Sequence, residues 1–373
     1  MTMGAGIPFV RAEGDSFEIG HRHGAARAEP LRAFLDDSLC RLNRVLPAPV
    51  SMDGLAPALS GYGAAIAAAS PDLAEEIRGL ADGAGISRRQ ALLLQLRREI
   101  MGYHKVPALG DCTTYARVVG GPGGTPVLAQ TIDLNGDLDD QIAVLEIART
   151  GSRRRVLVLS FGGLLGYLGL NSDGLAIGLN LVLGGDWRPG LPPYLAIRHL
   201  LDTAANVDEA IALLHGLPLA SSRSITLCDP TRAAYVEILE DALRVAEGPE
   251  IAHTNHFLHP DFAPSDELNV FARNSSLRRL AACAATMRLA VDVEDHFAVL
   301  AAPPICVPDE GDIRRERTVA AVVMLPSRGE LYVRPGDPSR SRTEAFTLRP
   351  GVPPSRSRTE PGTTLTGTRG GPW

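Results

Sequence analysis

The spacing of apolar residues changes at Cys112, and this change strongly limits the folds that the chain can adopt. Before Cys112 the pattern is helical, because Leu73, Ile77 and Leu80 fall on one face of a segment that opens at Pro71. After Cys112 the apolar runs become short and are separated by glycine-containing turns, which is typical of strands. The sequence therefore predicts a helical first part joined to a strand-rich second part.

Strands and helices follow each other in blocks after Cys112. Strands are predicted at Thr113–Val119, Pro126–Ile132, Gln141–Ala148, Arg155–Phe161, Leu175–Leu181, Ile225–Cys228, Ala234–Leu239, Arg317–Leu325 and Glu330–Val333, with a turn at Gly120–Gly124. Helices are predicted at Leu195–Ala205, Asp208–His215, Ser275–Ala290 and Val293–Ala301. Strand blocks that alternate with helix pairs favour an α+β fold built in layers.

The end of the chain has a different composition. The hexapeptide SRSRTE at Ser339–Glu344 is repeated at Ser355–Glu360, and from Pro350 onward the chain has almost nothing apolar to bury. Such a segment is expected to be disordered. We therefore divide the chain into a helical N-terminal segment (1–111), a strand-rich region (112–349) and a disordered tail (350–373).

Composition and charge exclude several classes of partner. The formal net charge of −6 predicts no nucleic-acid partner, since such proteins usually carry a basic excess. The most apolar stretch, Val156–Leu170, is too short and too rich in glycine to span a bilayer, so no membrane partner is predicted. The N-terminus lacks the pattern of a secretory signal. The five cysteines are scattered without CxxC spacing, which favours reduced thiols and a cytoplasmic location.

No metal site is predicted. The histidines that could be considered as metal ligands are His21, His23 and His256, but they lack a cysteine or carboxylate set at ligand spacing. His256 is better interpreted as a packing or capping residue.

Cys112 is the residue most suited to nucleophilic chemistry. It begins a predicted strand directly after a loop that contains Gly110, where a thiol can be exposed at a sharp bend. Cysteine needs less activation than serine, because its thiolate is accessible near neutral pH. On these residues alone the alternative stays open that Cys112 is a small buried hydrophobic residue.

Several stretches, taken in order, resemble one enzyme family. The chain resembles the acyl-coenzyme A:isopenicillin-N acyltransferase family of autoproteolytic N-terminal-nucleophile (Ntn) hydrolases, and the similarity covers about residues 14–348. The stretches that carry it are Gly14–Gly24 (GDSFEIGHRHG), Glu75–Gly85 (EEIRGLADGAG), Cys112–Thr114 (CTT), Gln130–Asp133 (QTID), Asn171–Asn180 (NSDGLAIGLN), Asn255–Phe257 (NHF) and Asn274–Arg278 (NSSLR).

The resemblance implies a fold and a mechanism. The fold would be the four-layer αββα Ntn-hydrolase sandwich. The chain would be a zymogen that cuts itself between Asp111 and Cys112, giving subunits 1–111 and 112–373 that stay associated. The freed α-amine of Cys112 would act as the base for its own thiol, so that no catalytic histidine is needed. The substrate would be a small acyl amide or thioester, whose acyl group passes through Cys112 to an amine or to water. No cofactor is implied, although acyl-coenzyme A can serve as a co-substrate.

The same resemblance assigns roles to four more residues. Asp133, with Gln130 nearby, would orient the new α-amine. Without the resemblance, Asp133 would be interpreted as the residue that ends a strand. Asn180 and Asn255 would stabilise the oxyanion; otherwise they read as a turn residue and a loop residue. Arg278 would pair with Asp133 or the substrate, or else belong to an ordinary solvated helix face.

One position departs from the family pattern. Relatives commonly place glycine directly before the nucleophile, but here Asp111 stands there and Gly110 comes one residue earlier. Glycine lets the scissile peptide distort more easily than aspartate does. Asp111 is therefore expected either to slow cleavage or to act as a local base.

Two alternative functions remain at this point. One is an amide or peptide hydrolase without any transferase activity. The other is an unprocessed, catalytically inactive Ntn-fold protein that serves as a binding or scaffold protein.

Overall fold

A computed structural model describes residues 6–102, 112–118 and 125–348. The predictions for Gly110 and Asp111, for the turn at Gly120–Gly124 and for the tail at 350–373 lie outside the described residues. All five cysteines lie within them, and all five are buried and outside any disulfide. In the described part of the chain, no helix is both long enough and apolar enough to cross a membrane.

Ten α-helices occur in the described residues. They are α1 (Ser16–Ala26), α2 (Ala28–Asp36), α3 (Leu42–Val45), α4 (Met52–Ala69), α5 (Pro71–Ala84), α6 (Arg88–Met101), α7 (Pro193–Thr203), α8 (Val207–Leu214), α9 (Val270–Thr286) and α10 (Val293–Ala301). Local signals fix several of the starts. Ser87 and Gln90 form a capping box at α6, and Pro71 opens α5.

Fourteen strands occur in the same residues. They are β1 (Phe9–Gly14), β2 (Thr113–Arg117), β3 (Val127–Leu134), β4 (Ile142–Arg149), β5 (Arg155–Phe161), β6 (Leu168–Asn171), β7 (Ala176–Leu181), β8 (Arg223–Cys228), β9 (Ala233–Leu239), β10 (Ala242–Glu247), β11 (Glu250–His253), β12 (Arg317–Leu325), β13 (Glu330–Pro335) and β14 (Glu344–Thr347). Sheet A has the order β1-β4-β5-β6-β7-β8-β9-β10, and sheet B has the order β11-β2-β3-β12-β13-β14.

The two sheets lie face to face between two layers of helices. Along β3, Leu128 belongs to the core shared with sheet A, whereas Ala129 packs with Phe297 of α10. This alternation is what a strand buried on both faces requires. Helices α1 and α7 contact sheet A, while α9 and α10 contact sheet B. The predicted α+β fold with four layers in the order αββα is confirmed.

Helices α1 and α5 pack very closely against each other, and α1 also contacts sheet A. A Cβ atom on Gly20 would lie 1.9 Å from the carbonyl oxygen of Glu76, and one on Gly79 would lie 2.0 Å from the carbonyl oxygen of Phe17. Side chains at these positions would force the helices apart. The glycines of the two N-terminal motifs therefore serve helix packing.

The sequence predicted a helical N-terminal segment, but this segment also contains a strand. Phe9–Gly14 forms β1, which pairs in parallel with β4 at the edge of sheet A. Val10 and Ala12 are buried and alternate with the exposed Arg11 and Glu13. This period of two is the strand signal, but it covers too few residues to stand out.

Candidate active site

Cys112 lies directly before β2 in a conformation that is rare for a residue with a side chain. Its φ is +43°, in the left-handed region. The residue is only 2% exposed, and its Sγ atom lies 3.7 Å from the hydroxyl of Tyr167. Backbone strain of this kind persists only where the surroundings enforce it, and it is common at active sites.

Two side chains, one from sheet A and one from helix α9, hold the carbonyl oxygen of Cys112. Asn180 Nδ2, near the end of β7, donates to it over 3.0 Å, and Arg279 Nη1, from α9, donates over 2.8 Å. Arg279 Nη1 also donates to Thr113 Oγ1 over 3.1 Å. These donors fix the peptide that follows the thiol, so the position of Cys112 is set by both sheets and by the outer helix.

Asn255 joins the same network. Its Oδ1 accepts from Arg279 Nη2 over 2.6 Å, and its Nδ2 donates to the carbonyl oxygen of Leu181 over 2.9 Å. Its backbone N–H donates to Ser276 Oγ over 2.8 Å. An amide nitrogen carries two N–H groups, so one donor of Asn255 remains for a ligand.

A buried histidine and a buried glutamate support the strand end that precedes Asn255. His253 Nε2 lies 2.8 Å from Glu237 Oε1, and His253 Nδ1 lies 2.7 Å from the carbonyl oxygen of Thr254. Burial alone would raise the pKa of Glu237, but the hydrogen bonds from His253 and from the backbone N–H groups of Leu258 and His259 lower it. Glu237 therefore acts as an ionised acceptor that holds three donors around the Asn255 loop.

His256, the other histidine of this loop, does not carry a charge at neutral pH. Burial and the neighbouring His253 lower the pKa of His256 to about 4. Its Nδ1 lies 2.8 Å from Ser276 Oγ. The packing role that the sequence suggested for His256 agrees with this geometry.

Asp133 lies near the end of β3, beside the start of β2. Thr113, the residue after Cys112, pairs with Thr131, and Asp133 lies two residues further along β3. Asp133 is fully buried, and its Oδ1 accepts from Thr318 Oγ1 over 2.7 Å.

Gln130 has a structural task. Its Nε2 donates to the carbonyl oxygen of Leu179 over 2.8 Å, and its Oε1 accepts from the backbone N–H of Leu179 over 3.0 Å. It thus ties β3 to β7 across the two sheets. A Cβ on Gly178 would lie 2.6 Å from Gln130 Oε1, so glycine is required there.

The arginine at the site is Arg279, and the prediction that Arg278 pairs with Asp133 is wrong. Arg278 is exposed, whereas Arg279 is fully buried. Consecutive residues on a helix point about 100° apart, so only one of the two can face inward. The buried residues Ser276, Arg279 and Cys283 show the inward face, with the 3- and 4-residue spacing that could have identified it.

Two cavities lie near the network. One, of about 740 Å³, is lined by the first turns of α9, including Ser275, and by residues from Pro303 to Arg317. Ser275 Oγ accepts from Arg279 Nε over 3.4 Å. The other is a slot of about 40 Å³, lined by Tyr167, whose hydroxyl contacts the thiol of Cys112. No sequence pattern marks Tyr167, because its place beside Cys112 depends on which segments pack together.

Cys112 thus stands at a strand start, Asn180 and Arg279 donate to its carbonyl oxygen, and Asn255 bonds Arg279 in turn. The protein belongs to the class of acyltransferases and amide hydrolases. The chain is a member of the acyl-coenzyme A:6-aminopenicillanic acid acyl-transferase family, whose model matches residues 119–340, more than half of the chain.

Several known proteins are similar to the chain. The chain is 26% identical over 266 residues to the 40 kDa form of acyl-coenzyme A:6-aminopenicillanic-acid-acyltransferase from Emericella nidulans, over 70% of this chain and 72% of that protein. Among solved structures it is similar to penicillin V acylase from Agrobacterium tumefaciens, with a TM-score of 0.45, 16% identity and coverage of 64% of this chain and 86% of that one. A Caenorhabditis elegans ortholog of N-acylethanolamine-hydrolyzing acid amidase gives a TM-score of 0.44 at 15% identity, covering 64% of this chain and 100% of that one.

Proposed function

We propose that the protein is an autoproteolytic cysteine acyltransferase or amide hydrolase that forms its acyl-enzyme on Cys112. The observation that carries the proposal is the convergence of Asn180 and Arg279 on the carbonyl of Cys112, at 3.0 and 2.8 Å, while its backbone is held at φ +43°. A buried arginine and a buried amide committed to one peptide carbonyl have no equivalent elsewhere among the described residues. The family match begins at residue 119, so the role of Cys112 rests on this geometry.

The first reaction is self-cleavage. The thiol of Cys112 adds to the carbonyl carbon of Asp111. The C–N bond then breaks, the α-amine of Cys112 takes up a proton, and the acyl group of Asp111 is left on the sulfur as a thioester. Water then hydrolyses the thioester and releases the carboxylate of Asp111. The products are the chains 1–111 and 112–373, the second with a free α-amine and a free thiol.

The second reaction uses the new terminus. The α-amine takes the thiol proton as sulfur attacks a small acyl amide or thioester, then passes it to the leaving amine or thiol. Asn255 and Asn180 donate to the oxyanion, and Asp133 orients the α-amine. Water or an amine then accepts the acyl group. The steps need no cofactor, and acyl-coenzyme A can serve as the thioester donor.

The two chains are proposed to stay together after cleavage. Strand β1 pairs with β4 over six residues, and these strands lie on opposite sides of the cut. Arg198 also donates to both carboxylate oxygens of Glu76 over 2.8 and 2.9 Å, with both side chains buried. Separating the chains would expose a sheet edge and a buried ion pair, which is costly.

An activated ester tests the acyl-enzyme. With p-nitrophenyl acetate we expect a burst of p-nitrophenol close to one per protein molecule, because acylation of a thiol outpaces hydrolysis of the thioester. Mass spectrometry should place one acetyl group on Cys112. Adding a primary amine and measuring the acetylated amine then separates a transferase from a simple hydrolase.

Cys306→Ala is the matched control, since Cys306 is another thiol and stands near the larger cavity. It should keep the burst, whereas Cys112→Ala should lose it. A burst that survives in Cys112→Ala and disappears in Cys306→Ala would refute the assignment.

A further inference from the structure

The hydroxyl of Tyr167 lies against the thiol of Cys112, and the position of its ring is fixed. The hydroxyl oxygen is 3.7 Å from Cys112 Sγ, and the two residues are only 3% and 2% exposed. The ring stacks on Tyr194 at a centroid distance of 4.8 Å and meets the edge of Phe161 at 5.1 Å. The backbone N–H of Tyr167 donates to the carbonyl oxygen of Leu159 over 2.8 Å. Contacts with β5 and α7 therefore hold the hydroxyl at the sulfur.

Burial makes a thiol difficult to ionise in this protein. Cys40 and Cys283 are fully buried, and desolvation raises the pKa of each thiol to about 12. The nucleophile in acyl transfer is the thiolate and not the thiol. Cys112 is almost as well buried, so desolvation opposes its thiolate as well. A working nucleophile at this position needs a group that stabilises the negative charge on sulfur.

A tyrosine hydroxyl is suited to that task. The ordinary pKa of a tyrosine hydroxyl, about 10, lies above that of a cysteine thiol, about 8.5, so the hydroxyl keeps its proton when a neighbouring thiol ionises. A thiolate has no hydrogen to donate, so the hydroxyl is then the donor. A hydrogen bond to the charged form of a group favours that form. No proton leaves the hydroxyl, and the α-amine of Cys112 remains the base.

We propose that Tyr167 is a further catalytic residue, whose hydroxyl donates a hydrogen bond to Cys112 Sγ and stabilises the thiolate that attacks the substrate. This proposal rests on the proposed function, because it takes Cys112 as the nucleophile. Two charged side chains belong to the same surroundings. Arg279 of α9 donates to the carbonyl oxygen of Cys112, and Asp133 lies on β3 two residues beyond the partner of Thr113. Both are unchanged in a Tyr167 variant, so a comparison with the wild type isolates the hydroxyl.

The pH dependence of acylation tests this role. Tyr167→Phe removes the hydroxyl and keeps the ring, and kcat/KM for p-nitrophenyl acetate, measured with fully processed protein, reports the ionisations of the free enzyme. Loss of the hydrogen bond disfavours the charged sulfur, so the midpoint of the acidic limb should rise by about one pH unit or more, the size expected for a hydrogen bond to a charged group. Below the midpoint kcat/KM should fall about tenfold or more, whereas at high pH it should approach the wild-type value.

Tyr194→Phe is the matched control, since it removes the hydroxyl from the ring that stacks on Tyr167 and keeps the stack. The midpoint of its acidic limb should equal that of the wild type. An unchanged midpoint in Tyr167→Phe overturns the proposal even if the rate is lower at every pH, because a merely structural role lowers the rate without moving the midpoint. Equal shifts in the two variants overturn it as well.

The wild-type protein gives a test that does not depend on whether Tyr167→Phe folds. Its acidic limb should have a midpoint below about 7.7, the lower of the ordinary pKa values of an α-amine and a thiol. A midpoint at or above that value shows that the thiolate is not stabilised, and it overturns the proposal. Failure of the proposed function is distinct, since p-nitrophenyl acetate would then leave no acetyl group on Cys112.

Discussion

Arg279→Met is expected to lower turnover of p-nitrophenyl acetate by about a hundredfold or more. The change removes the donors to the Cys112 carbonyl and to Asn255 Oδ1, at 2.8 and 2.6 Å, and leaves both acceptors buried. Each hydrogen bond from a charged donor contributes about 1.5–3 kcal/mol, so the loss of two disturbs both the thiol and the oxyanion donor. Steady-state kinetics on folded protein measure the effect.

Arg278→Met is the control for this prediction, since it changes the same residue type at the next position of the same helix. Arg278 is exposed, and a substitution at an exposed position away from specific contacts usually changes stability by less than about 0.5 kcal/mol. Its turnover should stay within about twofold of the wild type. Equal losses in the two variants would show that the position of Arg279 at Cys112 has no functional consequence.

Asn255→Ala is the second change with a large expected effect. Losing one side-chain donor to an oxyanion costs about 2.7–4 kcal/mol, so turnover should fall about a hundredfold or more. The side chain is buried and bonded to Arg279 and to the carbonyl oxygen of Leu181, so a smaller loss of thermal stability is also expected. The turnover number on p-nitrophenyl acetate, measured with fully processed protein, is the decisive quantity.

The outcome assigns the oxyanion role. If Asn255→Ala turns over at close to the wild-type rate, that role passes to Asn180 or to a backbone amide. The corresponding Asn180→Ala variant then decides between those two, because Asn180 Nδ2 is the donor that already faces the Cys112 carbonyl.

Much of the fold was predictable because long strands and amphipathic helices carry their own periodicity. The bounds of β5, β12 and α10 agree with the sequence prediction residue for residue. Strands β1, β6, β10, β11 and β14 were missed. Each has six residues or fewer, so the local pattern is too short to stand out, and β1 pairs with a strand far along the chain.

The residues of the candidate site could likewise be predicted only in part. Cys112, Asn180 and Asn255 are far apart in sequence but meet in one network. Arg279 was missed by one position, because the charge pattern alone did not set the phase of α9. Tyr167 could not be identified, since its place beside Cys112 comes from packing between segments that are distant in sequence.

The central claim is that Cys112 becomes the N-terminal residue of the working enzyme. The intact mass of the purified protein, with the N-terminal sequence of each chain, tests it most directly. The account predicts two polypeptides of 111 and 262 residues from the 373-residue chain, the larger beginning at Cys112, and one uncut chain for Cys112→Ala. A wild-type protein that stays whole, or a Cys112→Ala protein cut at the same bond, would contradict it.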